Sequence, residues 1–95
     1  MDYFDIVPRA LTLDRKLSPG AKVTWTVIRV RIQEGDKHDR AMRCRRMFKW
    51  ELASDLDVSV SSVARWLTEL EQGGWIECQN HRRGGMLIFL QREHV

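Results

Sequence analysis

Glu51-Leu52-Ala53-Ser54-Asp55-Leu56-Asp57-Val58-Ser59, with Val63-Ala64-Arg65-Trp66-Leu67-Thr68-Glu69-Leu70-Glu71-Gln72-Gly73-Gly74-Trp75-Ile76 close behind, is the stretch on which the fold turns. In its first part Leu52, Ala53 and Leu56 supply the inward face of a helix that Met47 or Phe48 is expected to start and Leu56 to end. Asp57-Val58-Ser59 then breaks the helix with residues that bond their own backbone and so favour turns and caps. Ser59 is placed to cap a further helix, in which Val63, Trp66, Leu67 and Leu70 recur at i, i+3, i+4 and i+7 as a core stripe. Gly73-Gly74 ends it. The opposite face, Val60, Ser61, Ser62, Arg65 and Thr68, is left for solvent or a partner.

Downstream, residues 75–79 and 86–91 read as the strands of a hairpin around the polar tip Asn80-His81-Arg82-Arg83-Gly84-Gly85. The run Met86-Leu87-Ile88-Phe89-Leu90 is apolar throughout, so it carries no alternation that would say which side chains point inward. Upstream, residues 41–46 alternate enough for a short strand, and residues 35–40 read as a polar connection. Before them Ser18-Pro19 marks a helix start, because the serine oxygen can cap free amides and a proline at the first helical position has no amide to satisfy. Ala21, Trp25, Ile28 and Ile32 form the apolar stripe of that helix, with Val23, Val27 and Val30 expected to widen it until Gly35. The same residues alternate like a strand, but the caps and the length favour a helix. In residues 4–17, Pro8 can open a short helical turn through Leu13.

Two helices joined by a tight turn, the second entered through serines, are how a helix-turn-helix presents one helix to a major groove. The quoted residues resemble the winged helix-turn-helix superfamily, in which a leucine-alanine pair, a serine cap and a helix ending in glycine before a strand recur. Ile6-Val7-Pro8-Arg9-Ala10-Leu11 and Leu17-Ser18-Pro19-Gly20-Ala21-Lys22 are similar to the N-terminal part of such domains in phage and plasmid replication initiators. The resemblance implies an α+β winged helix-turn-helix with three main helices, a small antiparallel sheet with a strand near residues 42–46, and a β-hairpin wing. It would occupy residues 1–95 as one domain, with the helix-turn-helix at about residues 47–73 and the wing at about residues 75–91. The implied function is sequence-specific binding of double-stranded DNA, in plasmid or phage replication initiation or in transcriptional regulation. Arg65 is the candidate base reader, since a guanidinium can donate two bonds to guanine. Ser59, Ser61, Ser62 and Thr68 are candidate contacts beside it, the serines meeting phosphates together with backbone amides. By resemblance the wing tip, His81, Arg82 and Arg83, touches the DNA backbone or minor groove.

Charge is distributed unevenly. The chain of 95 residues has a net charge of +3, a mildly basic total that decides little. Residues 37–49 hold six cations against Asp39, a net of +5, whereas residues 50–80 hold six acids against Arg65, a net of −5. Non-specific affinity for DNA is therefore expected from Arg43, Arg45, Arg46, Lys49 and the wing, by release of counterions. The plainer readings are that the basic block is a solvated surface, that Arg82 and Arg83 keep a glycine-rich tip soluble, and that Arg65 pairs with Glu69 at i+4.

Other classes fit less well. No apolar run approaches the roughly 18 residues of a membrane span, and the N-terminus lacks a signal-peptide pattern, so a cytoplasmic location without membrane contact is expected. Cys44 and Cys78 are expected to be reduced thiols. Cys78-x-x-His81 with Cys44 and His38 invites a zinc reading, but there is no paired motif, and Cys78 alternates with Ile76 as a buried strand residue would. Trp25 and Trp66 lie on core stripes and Trp75 starts a strand; Trp50 has no evident place. No nucleophile elbow, phosphate-cradling loop or metal motif is present, so neither enzymatic activity, cofactor nor small-molecule substrate is expected, and no RNA-binding module signature appears. A homodimer would let the domain read repeated sites, although no long coiled-coil segment enforces one. The rival reading is a winged helix that docks on another protein. A DNA binder should gather Arg43, Arg45, Arg65 and Arg82 on one face, whereas a docking module should expose an apolar patch there.

Overall fold

A computed structural model describes residues 8–91; residues 4–7 of the predicted first stretch, including Ile6-Val7 of the resemblance, lie outside them. The described chain is α+β, with five helices and a three-stranded antiparallel sheet. In order the elements are α1 (Arg9–Leu13), α2 (Pro19–Glu34), α3 (Lys37–Met42), β1 (Cys44–Met47), α4 (Lys49–Leu56), α5 (Val60–Gln72), β2 (Ile76–Asn80) and β3 (Met86–Leu90). No helix among the described residues is long and apolar enough to cross a membrane.

The helix starts follow from local chemistry. Pro8 precedes α1 in an extended conformation. Ser18 caps α2, its Oγ accepting from the Ala21 amide at 3.3 Å, and Ser59 caps α5 by accepting from the Ser62 amide at 3.2 Å. At α4 the cap comes from inside the helix: the Glu51 carboxylate accepts the Phe48 amide at 3.0 Å. Asp57 then takes a left-handed conformation, φ 56°, and closes α4 so that the chain can turn into α5.

Two expectations for the middle of the chain are corrected. Within the predicted polar connection, Asp36 accepts the Asp39 amide at 2.9 Å and starts α3, a helix with no buried residue and hence no apolar stripe to reveal it. Because α3 runs to Met42 and Arg43 closes it at φ 58°, the strand begins at Cys44 and extends to Met47, two to three residues later than expected at its start. Met47 thus belongs to β1, fully buried, and α4 starts at Lys49.

The core lies between α2, the α4–α5 pair and one face of the sheet. Trp25, Ile28 and Ile32 from α2 meet Leu52 of α4, Val63, Leu67 and Leu70 of α5, and Met86, Ile88 and Leu90 of β3. Each fully buried large side chain contributes about 1.5–3 kcal/mol through loss of apolar surface from water. Trp75 is completely buried, and its indole N–H donates to Asp14 at 3.0 Å, which ties the start of the hairpin to the α1–α2 turn. Val23 departs from the predicted stripe: it is exposed, and Thr24 is buried in its place, with its hydroxyl donating to the Gly20 carbonyl at 2.7 Å. In the sheet β3 is central, with Cys44 opposite Phe89 on one side and Ile76 opposite Leu90 on the other.

Trp66 is half-buried rather than core, and the close approach of α5 to α2 explains it. The indole lies flat on Gly20, where a Cβ would come within 2.2 Å of the ring. Gly20→Ala should therefore lower stability by about 1–3 kcal/mol through overpacking, read from urea denaturation midpoints. In a Trp66→Ala background the same substitution should be neutral or slightly stabilising, because alanine is the better helix former.

Candidate nucleic-acid interface

The outer stripe of α5 is built by the burial of its inner one. With Val63, Leu67 and Leu70 fixed inward, Ser61, Arg65 and Thr68 fall together on the solvent side, all exposed, with Val60 exposed at the start of the helix and Ser62 half-buried. The Ser59 hydroxyl lies 3.2 Å from that of Ser61 and donates to that of Ser62 at 3.0 Å, so three hydroxyls cluster at this helix start. Thr68 donates back to the Ala64 carbonyl at 3.1 Å. The Arg65–Glu69 pair of the plainer reading does not form. Glu69 instead accepts from the Ser18 amide at 2.8 Å and from the Ser18 hydroxyl at 3.1 Å. Arg65 is left extended over the Trp66 ring, 6.0 Å from its centroid.

The β2–β3 hairpin carries its cations on a turn held from three sides. The His81 carbonyl accepts the Gly84 amide at 2.9 Å, the His81 Nδ1 accepts the Arg83 amide at 3.1 Å, and the His81 amide donates to Gly85 at 3.1 Å. His81 thereby shapes the turn, and Arg82 and Arg83 stand exposed on it. From β1, Arg46 donates to the Gly84 carbonyl at 2.8 Å and to the Arg83 carbonyl at 2.6 Å while stacking on Phe48, 5.1 Å from the ring centroid. Gly85 has φ +72°, and a Cβ there would lie 2.8 Å from the Met47 carbonyl oxygen. The turn is therefore pressed against the end of β1 as only glycine allows.

The basic block does not act as one surface. The pleat of β1 sends neighbouring side chains to opposite faces: Arg46 shares a face with Leu87 and reaches the hairpin tip, whereas Arg45 shares a face with Ile88. Arg45 donates to the Arg31 carbonyl of α2 at 2.6 Å and lines a cleft there with Thr26, Glu34 and Asp55. Arg43, at the end of α3, has Nε and one guanidinium nitrogen buried. Both arginines are thus away from the α5 stripe. Lys49 is exposed at the first position of α4 and borders the hairpin at Asn80, beside Thr68 on one side and Val60 on the other. The structure therefore brings together Val60, Thr68, Lys49 and the hairpin.

Five of the six acids of residues 50–80 have partners within the fold, although Asp55, Glu71 and Glu77 stay exposed. Glu51 and Asp55 bind Arg31 at 3.2 and 2.5 Å, and the Asp55 bond holds that guanidinium more firmly protonated than usual. Glu69 holds Ser18, Glu71 accepts the Cys78 amide at 3.4 Å, and Glu77 accepts the side-chain amides of Gln79 and Gln91. Arg31 offsets Glu51 and Asp55, whereas Glu69, Glu71 and Glu77 bond neutral groups and keep their charge, Glu71 beside Thr68 and Lys49.

Sequence reasoning left Trp50 unplaced and passed over Phe48 and Asn80. Trp50 is 63% exposed at the second position of α4, its ring 5.9 Å from that of Phe48. The signal was present as an aromatic residue on each side of Lys49, just before a core stripe that neither ring continues.

Comparison with known proteins finds no matching family model, no matching curated protein and no matching solved structure.

Cys44 and Cys78 are free thiols. Burial first, and then the nearby Glu71, push the Cys78 thiol up to about 12; Lys49 opposes them, and Glu77 adds the smallest effect. The folded state thus holds this proton more tightly than the unfolded chain, and the resulting stability is full below the ordinary thiol value of 9.0 and is lost as pH rises toward about 12. The melting temperature of the wild type should fall more steeply than that of Cys78→Ala between about pH 8 and about pH 10.5. Parallel curves would contradict this account of the thiol.

Proposed function

We propose that this chain is a winged helix-turn-helix domain that binds double-stranded DNA, with α5 as the recognition helix and the β2–β3 hairpin as the wing. The observation that carries the reading is the exposed stripe of Ser61, Arg65 and Thr68 on a helix that adjoins a hairpin tipped by Arg82 and Arg83, with Lys49 between them. Arg65 would read a base edge in the major groove, the serine cluster would meet a phosphate at the helix start, and Arg82, Arg83 and Lys49 would hold the backbone. Arg46 supports the wing through its two bonds to the turn, and Arg43 and Arg45 are left out of the interface. The biological setting follows the resemblance: replication initiation or transcriptional control on a plasmid or phage, inside the cell, with a homodimer wherever the site is repeated.

A specific observation favours the second reading, docking on another protein. Trp50 and Val60 are both exposed beside the hairpin, and two of the four arginines expected on a DNA face lie elsewhere. Salt separates the two readings. Anisotropy of a labelled random-sequence duplex should show binding whose log–log slope against salt is about −3, as expected for three cations on phosphates; no binding even at low salt would favour docking. Once a preferred site has been selected, Arg65→Ala should relax preference at one base pair by about 1–3 kcal/mol, whereas Arg82→Ala should weaken all duplexes alike. Equal behaviour of the two variants in competition assays would contradict these roles.

A further inference from the structure

Trp50 is the exposed member of four tryptophans; Trp25 and Trp75 are fully buried and Trp66 is half-buried on Gly20. It stands at the mouth of a cleft of about 340 Å³ between the starts of α4 and α5 and the base of the hairpin. Phe48, Trp50, Val60, Gly85 and Met86 make its apolar lining, and Lys49 and Asn80 supply its polar groups. The two rings form a tilted pair, with centroids 5.9 Å apart and planes inclined by 30°; Arg46 stacks on Phe48, and Trp50 is the ring left exposed to a flat guest.

We propose that this cleft takes one unpaired nucleobase from a DNA strand whose backbone lies on Lys49 and the hairpin tip. The inference rests on the DNA-binding reading and deepens it. Three features select the occupant. The aromatic surface fits a base plane, and stacking of that kind tolerates any base. Asn80 carries an amide with both donor and acceptor, the pairing needs of a base edge and of no use to an aliphatic side chain. The charge at the cleft is positive: Lys49 is the one charged residue in its lining, and Arg46, Arg82 and Arg83 add charge along the hairpin end that borders it. An apolar peptide could use the rings and Met86 and pair its backbone with the amide, but would leave the cations without partners. The chemistry is therefore recognition of a bulged, mismatched or locally opened site in addition to a paired one.

The test uses the whole chain and two labelled probes in anisotropy titrations: a fully paired duplex, and the same duplex with one extra unpaired thymine. The wild type should bind the bulged probe at least about fivefold more tightly, with quenching of tryptophan fluorescence. Trp50→Ala should lose the preference while keeping paired-duplex affinity within about twofold, and Trp50→Phe should keep most of the preference but not the quenching. Because the side chain is exposed, both variants should retain the wild-type circular dichroism and melting curve. Equal binding of the two probes by the wild type would overturn the base pocket and leave the duplex reading standing, whereas failure to bind either would overturn both. A preference that survives Trp50→Ala would also overturn it, as would sedimentation showing self-association that depends on Trp50, since the occupant would then be a second copy of the chain.

Discussion

The contact on which the arrangement most depends is that of Glu69 with Ser18. Ser18 caps α2 with its side chain while its own amide and hydroxyl are both accepted by the Glu69 carboxylate, so one carboxylate of α5 is fixed to the first turn of the longest helix. Hydrogen bonds to a charged group contribute about 1.5–3 kcal/mol each when partly buried. Together with the seating of Trp66 on Gly20 one turn earlier, this contact fixes both the position and the rotation of α5 about its axis. A rotated α5 would turn Arg65 toward the core and bring Leu67 or Leu70 into water. The presentation of Ser61, Arg65 and Thr68 is thus set by a polar contact on the far side of the helix.

Helix α2 extends this role along its length. Near its C-terminal end Arg31 binds Glu51 and Asp55 of α4, and its carbonyl receives Arg45 from β1. Glu51, Asp55 and Arg45 are thereby gathered at α2, away from the solvent face of α5, while Glu71 and Glu77 stay beside the hairpin. A sum of charges over residues 50–80 mixes groups that face different directions, and only the packing reveals which of them a polyanion would meet.

Much of this was legible in the residues. Ser18 and Ser59 announced their helices by capping chemistry, Asp57 and Gly73-Gly74 marked the ends, and the stripe of Val63, Leu67 and Leu70 named its own inward face. The hairpin lay within one residue of its expected limits. The misses have definite causes. Helix α3 buries nothing, so periodicity could not signal it, although Asp36 was a capping residue in plain view. Composition grouped Arg43, Arg45 and Arg46 into one patch because it ignores the pleat, which sends adjacent side chains apart. Trp50 and Asn80 meet only when the hairpin folds back beside α4, a proximity that no local pattern encodes.

The strand order carries a consequence for how the chain comes to be folded. β1 and β2 do not pair with each other; each bonds to β3, the last strand among the described residues. During synthesis the helices can collapse around Trp25 as soon as α5 emerges, but β1 must wait, with its edge open, for a partner some forty residues away, a closure whose entropic cost slows its formation. Residues 86–90 pair with β2 on one edge and β1 on the other, and so bring the cationic turn against the end of β1. The two ladders use opposite edges of β3, so the local hairpin can form first, and the cationic turn meets the end of β1 only once β3 lies between its two neighbours.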